Sequence, residues 1–258
     1  DYAGHVRYQG FNDYRGGGHF SGRLTAPLVF SGAVAKQALA QYGIIVGSHI
    51  LQINDIKEER FNPMGVSDAE LAELHTKKFA VMDDAVGEKM QERILQAKSE
   101  LNSVGGVIEA IALHLPAGIG APYFDSVESM LSHALFSVPA VKGVEFGDGF
   151  GFARLTGAEA NDALHYVDGK VKALTNHNGG VTGGITNGMP FVVRVAIKPT
   201  PSIAREQQTV SLKEQADTTL AIVGRHDPCI VQRAVPVIEA VVAWTLWDLL
   251  LEAKKWEK

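Results

Sequence analysis

The chain has a single cysteine, Cys229, among its 258 residues. One thiol excludes an internal disulfide framework and a cysteine-rich metal site, and no metal-binding residues are predicted. The chain also lacks a long hydrophobic run, because its longest apolar stretch, Ala240 to Trp247, is bounded by Glu239 and Asp248. A transmembrane helix needs about 20 apolar residues. The stretch is therefore predicted to be a buried helix, and a membrane is not an expected partner.

A strong excess of either charge is absent as well. The 24 Lys and Arg residues and 29 Asp and Glu residues give a net charge of −5 and a pI near 6.0. This balance argues against a general nucleic-acid-binding protein, so an anionic ligand would need a local cluster of Arg and Lys. We expect a cytoplasmic protein. Because the chain opens on Asp1 rather than Met, we also expect further residues upstream.

Helix and strand patterns alternate irregularly along the chain, and 46% of its residues are hydrophobic. This predicts an α+β fold, either as one domain over residues 1–258 or as two similar halves fused. Helices are predicted at 25–42, 67–77, around 90–101, 126–137 and 235–256. Strands are predicted at 44–53, 105–116, 190–197 and 218–223, and residues 204–216 form a polar segment that is expected to be mobile.

Three consecutive glycines lie in the stretch RGGGHFSGR at 15–23. Such glycines permit positive φ angles and let a backbone approach a ligand closely. Ser21 and Arg23 follow just before a predicted helix start, where backbone N–H groups and a guanidinium favour a phosphate or carboxylate. The alternative is a flexible surface loop with a solvated arginine. A Walker A loop is excluded, because no Gly-Lys-Ser/Thr follows.

Two further glycine pairs lie in TNHNGGVTGGITNG at 175–188. This spacing is typical of a loop wrapped around a flat or phosphorylated ligand, but also of paired glycine turns and close helix packing. Both interpretations stay open on the pattern alone. His177 is predicted to be a structural histidine rather than a catalyst.

Two later stretches combine charge with proline. KPTPSI at 198–203 directly follows a predicted strand, so its lysine and hydroxyls could bind a phosphate, although proline-rich strand exits are common. GRHDPCIVQRAVPVIEA at 224–240 places Arg225 and Asp227 before an apolar helix. The alternative there is a capping aspartate with salt-bridged neighbours. Cys229 is predicted to be a small buried side chain and not a nucleophile.

Taken in order with a fifth stretch, VPAVKGVEFGDGF at 138–150, these motifs resemble the chorismate synthase family. The resemblance runs over essentially the whole chain, from DYRGGG at 13–18 to the C-terminal helix. NHNGGVTGGITNG, KPTPSI, and GRHDPC with RAVPVIEA are long and specific, and residues 115–150 match the middle segment of the family closely.

The resemblance implies a fold and a reaction. The implied fold is a β-α-β sandwich with helices enclosed between sheets, usually assembled as a homotetramer. The implied reaction converts 5-enolpyruvylshikimate-3-phosphate into chorismate and phosphate by an anti-1,4-elimination, the last common step of the shikimate pathway. It requires reduced FMN, with NADPH as a candidate reductant. A non-catalytic flavin- or phosphate-binding module and a purely structural subunit stand as alternatives.

The resemblance also implies roles for individual residues. Asp227 matches an aspartate beside the reactive flavin nitrogen, and Arg225 matches a ligand-binding arginine. Arg23 matches a substrate-contacting arginine, with Ser21 as a nearby hydroxyl, and these four are the catalytic assignments. The residues expected to bind FMN are His19, Phe20, Ser21, Pro139, Ala140, Gly183, Lys198, Pro199, Thr200, Pro201, Ser202 and Arg225.

The chain departs from the family pattern in four places, one of which is Asn102-Ser103, where an Asp-Ser pair is common. His19 and Phe20 stand where the family usually has Arg-Ser, and Pro139 replaces a more usual Asn. The family's Gly-Glu-Ser-His motif and its two catalytic histidines match no position in this chain. We therefore expect these 258 residues to be inactive by themselves.

Overall fold

The computed structural model describes residues 2–13, 15–224 and 226–254. The helices are α1 (Tyr2–Arg7), α2 (Ala26–Ala40), α3 (Asp68–Thr76), α4 (Asp84–Ser99), α5 (Val127–Ser137) and α6 (Val231–Lys254), with 3-10 helices at Arg15–Phe20, Gly22–Thr25 and Gly149–Arg154. The strands are β1 (Ile45–Ile53), β2 (Ile56–Lys57), β3 (Gly106–Leu113), β4 (Val141–Phe146), β5 (Leu164–Val167), β6 (Lys170–Ala173), β7 (Val181–Thr182), β8 (Ile185–Thr186), β9 (Phe191–Ile197), β10 (Gln207–Ser211) and β11 (Ala216–Leu220).

Five strands form one antiparallel sheet in the order β2-β1-β3-β9-β4. Successive side chains of a strand point to opposite faces of the sheet. One face carries Ile108, Val193 and Val195, which pack with α2, α5 and α6 in the main core. The other face carries Ile111 and Val192, which pack with α3 in a smaller core. The sheet is therefore buried on both faces, and its ends present the loops.

Most of the predicted elements are confirmed. Thr25 lies at the N-cap of α2 with a proline in the first turn, and Ser67 forms a complete capping box at the start of α3. The segment 204–216, predicted to be a polar connection between strands, contains the additional strand β10, which pairs with β11 as a hairpin. Helix α6 begins at Val231, one turn before the prediction, and Trp256 lies outside the described residues.

Helix α6 confirms the predicted buried apolar helix. It is the one described helix that is long and apolar enough to cross a bilayer, and 67% of its most apolar window is buried inside the fold. Thirteen of its residues are buried, among them Val241, Leu246 and Leu250. A core helix has this character, so its apolarity follows from its central position.

Gly32 sets how closely α2 and α6 approach. A Cβ atom at this position would overlap the Cα and Cβ atoms of Ala240 on α6. We expect Gly32→Ala to lower the free energy of unfolding: alanine gains about 1 kcal/mol of helix propensity, but overpacking a filled core costs about 1–3 kcal/mol. Urea unfolding measures the difference. Ser31→Ala, at an exposed neighbour on the same helix, should leave stability unchanged or raised; a more stable Gly32→Ala variant would contradict the close contact.

A row of charged side chains crosses the second face of the sheet. The residues are direct cross-strand neighbours on adjacent strands: His49 on β1 lies opposite Glu109 on β3, Glu109 opposite Arg194 on β9, and Arg194 opposite Glu145 on β4. Arg194 donates from Nε to Glu145 Oε1 at 2.6 Å and from Nη1 to Glu109 Oε1 at 3.2 Å. His49 lies between Glu109 and Glu58, and all of these groups except Glu145 are almost completely buried.

Candidate functional site

The C-terminal end of β9 meets the start of β4, and this contact joins two of the predicted site segments. The backbone N–H of Lys198 donates to the carbonyl of Ala140 at 2.9 Å. Ala140 itself has a φ of +74°. Because β4 and β9 are antiparallel neighbours, residues 139–140 and the loop 198–202 leave the sheet side by side. Two stretches about 60 residues apart in the chain, both expected to contact FMN, are thus brought together.

The segment just before β3 adds the third predicted stretch. The hydroxyl of Ser103 donates to the carbonyl of Thr200 at 2.6 Å. The N–H of the next residue, Val104, donates to the carbonyl of Pro228 at 2.8 Å. Asp227 therefore lies beside the loop 198–202 at the same end of the sheet. We call residues 102–105, 139–140, 198–203, 222–224 and 226–229 the loop cluster.

The charged groups of the loop cluster are accessible. Lys198 is exposed, and among the described residues no carboxylate oxygen lies within 4 Å of its ammonium group. The Asp227 carboxylate lies 2.8 Å from Arg233 Nη1, with side-chain exposures of 28% and 71%. This salt-bridged arrangement matches the alternative that the pattern left open. A pair so exposed contributes about 0–1 kcal/mol, so a ligand can displace Arg233 at little cost.

One hydroxyl in the loop cluster is buried without a partner. Thr200 Oγ1 is inaccessible and forms no hydrogen bond among the described residues. A buried polar atom left unpaired costs about 1–3 kcal/mol, so such an atom needs a reason. A ligand that binds against the loop 198–202 and reaches this buried atom would satisfy it.

The N-terminal motif folds as a local unit. Ser21 caps the second 3-10 helix by accepting from Arg23 N at 3.3 Å. The His19 ring stacks edge-on against Tyr8 at 5.2 Å and contacts the Phe20 ring. A cavity of about 650 Å³ separates residues 2–12 of this unit from Pro201 and the β10–β11 hairpin. On the N-terminal side this cavity is lined by Tyr2, His5, Gly10 and Asn12 rather than by residues 15–23, so among the described residues Ser21 and Arg23 are not brought to the loop cluster.

Gly183 lies elsewhere in the fold. It occupies the turn of the β7–β8 hairpin with a φ of +63°. The neighbouring Gly184 carbonyl accepts from Val127 N at 3.0 Å, at the start of α5. Pro139 follows the other end of α5, an 11-residue helix about 16 Å long. The described residues of the chain therefore do not bring Gly183 to the loop cluster; Gly183 lines a separate cavity of about 380 Å³ with Tyr123 and Glu128.

Arg225 lies outside the described residues, so its predicted role is not located. Cys229 is confirmed as a buried side chain, and burial raises the pKa of its thiol to about 11. His177 lies in a hydrogen-bonded network: its Nδ1 lies 2.6 Å from Asp148 Oδ2, and its backbone N–H donates to Asp162. The sequence marked Asn102-Ser103 only as a departure from an Asp-Ser pair and assigned it no role, and Val104 was not singled out.

The fold and the converging loops define an α+β protein with a candidate ligand site at the end of an antiparallel sheet. Residues 1–251 match the protein-family model described as chorismate synthase. The chorismate synthases of Thermococcus gammatolerans and Pyrococcus abyssi are each 46% identical over 257 residues, which span all of this chain and 70% of each relative. A solved structure of a chorismate synthase superimposes with a TM-score of 0.80 at 30% identity, covering 97% of this chain and 70% of that one.

The chain belongs to the chorismate synthase family. The Korarchaeum cryptofilum relative supports the same conclusion at 44% identity over 255 residues, 99% of this chain and 70% of that protein. The predicted α+β fold of chorismate synthase type is confirmed by the structural match.

Proposed function

We propose that the chain provides the flavin- and substrate-binding machinery of a lyase that converts 5-enolpyruvylshikimate-3-phosphate into chorismate and phosphate with reduced FMN. The proposal places the protein in the shikimate pathway, in the cytoplasm, as a homotetramer, with NADPH as a candidate reductant. The observation that carries it is the convergence of Ala140, the loop 198–202 and Asp227 at one end of the sheet.

The residues of the loop cluster fit a bound FMN. The unpaired Thr200 hydroxyl offers a hydrogen bond, and the accessible Lys198 ammonium offers a charge for a phosphate. The residues that would hold FMN are those of the loop 198–202 together with Pro139 and Ala140. When bound, reduced FMN supplies electron density for loss of the phosphate and takes up the departing hydrogen, with no net oxidation.

The remaining chemistry belongs to the side chains of the chain. The substrate carries a phosphate and two carboxylates, so cationic groups must neutralise it, and Arg23 is assigned to this task with Ser21 beside it. Charge-assisted contacts of this kind strengthen as a cavity closes and excludes water. After release from Arg233, the Asp227 carboxylate would be the final acceptor of the one proton that the substrate loses, and general bases of this type contribute about 10²–10⁴-fold. The elimination removes one phosphate and one proton from the substrate, which balances the reaction.

Gly183 enters the proposal through a neighbouring protomer. Its turn lies at the opposite end of α5 from Ala140, so it can contact the same flavin only if a partner subunit presents its own β7–β8 turn. A homotetramer provides such contacts. The exposed position of Gly183 is compatible with this role.

Flavin fluorescence tests the proposal. We expect FMN quenching to saturate on titration with the chain, and 5-enolpyruvylshikimate-3-phosphate to tighten FMN binding, because two ligands sharing a site are reciprocally coupled. Anaerobic chorismate release with reduced FMN is measured in parallel, with the full-length Thermococcus gammatolerans relative as the positive control. Flavin binding that ignores the substrate would favour a non-catalytic module. Absence of flavin binding at any concentration would favour a structural subunit and overturn the proposal.

A further inference from the structure

Two adjacent residues before β3 connect the two loops that the proposed function relies on. Ser103 Oγ donates to the Thr200 carbonyl at 2.6 Å, across 97 positions of the chain. Val104 N donates to the Pro228 carbonyl at 2.8 Å, next to Asp227. The short segment 102–105 is therefore the common support of the loop 198–202 and of the residues before α6.

The support is itself held firmly. Asn102 N donates to Ala97 O at 2.9 Å at the end of α4, and Asn102 Oδ1 accepts from Ser103 N at 2.9 Å. At Gly105 the loop lies directly on the backbone: a Cβ there would overlap the Ile197 carbonyl and lie 2.9 Å from Pro199 N. Helix α4 and this close approach fix the position of the Ser103 hydroxyl from both sides.

The hydrogen bond from Ser103 determines the state of Thr200. It uses the Thr200 carbonyl and so sets the orientation of that peptide, while the Thr200 hydroxyl remains buried and unpaired among the described residues. A β-branched side chain has few χ1 choices once its backbone is fixed. The direction of Thr200 Oγ1 is therefore set before any ligand arrives, which is preorganisation of a binding group.

We infer that Ser103 is a positioning residue for flavin binding: its hydroxyl holds the loop 198–202 so that Thr200 Oγ1 is presented to FMN. The inference rests on the proposed function. Ser103 makes no contact with the flavin in this scheme and acts only through Thr200. Its removal leaves the loop in place, because Lys198 N still bonds Ala140, but lets the Thr200 peptide rotate.

The test compares FMN dissociation constants from fluorescence quenching for four proteins. We expect Ser103→Ala to raise the Kd about fivefold, the effect of one ordinary hydrogen bond, and Ser103→Thr, which keeps the hydroxyl, to restore most of the affinity. Ser99→Ala is the matched control: its hydroxyl also donates to a backbone carbonyl, Gln96 O at 2.7 Å, but within α4. Its Kd should equal that of the unaltered protein.

A double-mutant cycle separates positioning from a general structural role. If Ser103 acts through Thr200, then Thr200→Val, which removes the hydroxyl without changing its shape, should abolish the effect of Ser103→Ala on FMN affinity. Additive effects, or an unchanged Kd in Ser103→Ala, overturn the inference while leaving the proposed function standing. If the unaltered chain binds no FMN, the proposed function fails first and this inference fails with it.

Discussion

Replacing Arg194 by methionine is expected to lower the free energy of unfolding by about 3–5 kcal/mol, the usual cost of breaking a buried ion pair from one side. The guanidinium holds two carboxylates, Glu109 and Glu145, and also donates to the Gly147 carbonyl. Methionine fills much of the same volume but pairs with none of them. Urea unfolding measures this loss when both proteins show the same dependence of the free energy of unfolding on urea concentration.

Arg233→Met is the matched control for this prediction. The same chemical change there breaks only an exposed pair with Asp227, so we expect a loss of about 0–1 kcal/mol. A second variant tests the cause: adding Glu145→Gln to Arg194→Met should recover part of the stability, because one unpaired carboxylate is removed. Equal losses in Arg194→Met and Arg233→Met would mean that the row contributes little.

The effect of Arg194→Met should also depend on pH in a defined direction. Burial alone would raise the pKa of Glu109, but hydrogen bonds from His49 and Phe61 and the Arg194 charge hold this pKa below its usual value. At Glu145, burial alone would also raise the pKa of the carboxyl, but the hydrogen bond and the charge of Arg194 hold this pKa below its usual value. A depressed folded-state pKa stabilises the protein above the unfolded-state pKa, and this stability is lost as the pH falls. The difference in the free energy of unfolding between the unaltered protein and Arg194→Met should therefore be largest at neutral pH and decrease at acidic pH.

Replacing Lys198 by alanine is expected to raise the Kd for FMN roughly ten- to hundredfold, since a hydrogen bond to a charged group contributes about 1.5–3 kcal/mol. The backbone bond from Lys198 N to Ala140 persists in alanine, so the change is confined to the ammonium group. Fluorescence quenching measures the Kd. Raising the ionic strength should weaken binding by the unaltered chain more than by the variant.

Lys142→Ala controls for unspecific electrostatics. Lys142 is an exposed lysine on β4, two residues from Ala140, and carries the same charge near the same end of the sheet. Its loss should change the FMN affinity by less than about twofold, as for weakly coupled surface charges. Comparable losses of FMN affinity in Lys198→Ala and Lys142→Ala would show that the positive charge of this surface acts as a whole, and not through a specific contact of Lys198.

Local chemistry made most of the fold predictable. Ser67 with Glu70, and Thr25 followed by a proline, are strong helix starts, and both helices begin there. Strand β11 overlaps the strand predicted at 218–223, but its partner β10 was not predicted, because β10 carries mainly exposed polar residues and shows no apolar alternation. The first turn of α6, before Pro236, was also not predicted. A proline normally lies in the first turn of a helix, whereas Pro236 lies one turn further in.

The site was predictable in its parts but not in its arrangement. The motif at 198–203 and Asp227 could be recognised locally, yet the bond that supports them comes from Ser103, far away in the chain. No periodicity reports a contact between residues 97 positions apart. For the same reason Gly183 was assigned to the same FMN site as residues 139–140 and 198–202, although helix α5 separates it from them within the chain.

The charged row across the sheet has a consequence for how the strands find their partners. Each of β1, β3, β9 and β4 contributes one ionisable residue to a single line of cross-strand neighbours. Sliding any one strand by a single position would turn its charge into the helix-facing apolar layer and leave its neighbour's charge stranded. Strand pairings shifted by one residue are therefore destabilised, and the row of charges favours a single register of the central sheet.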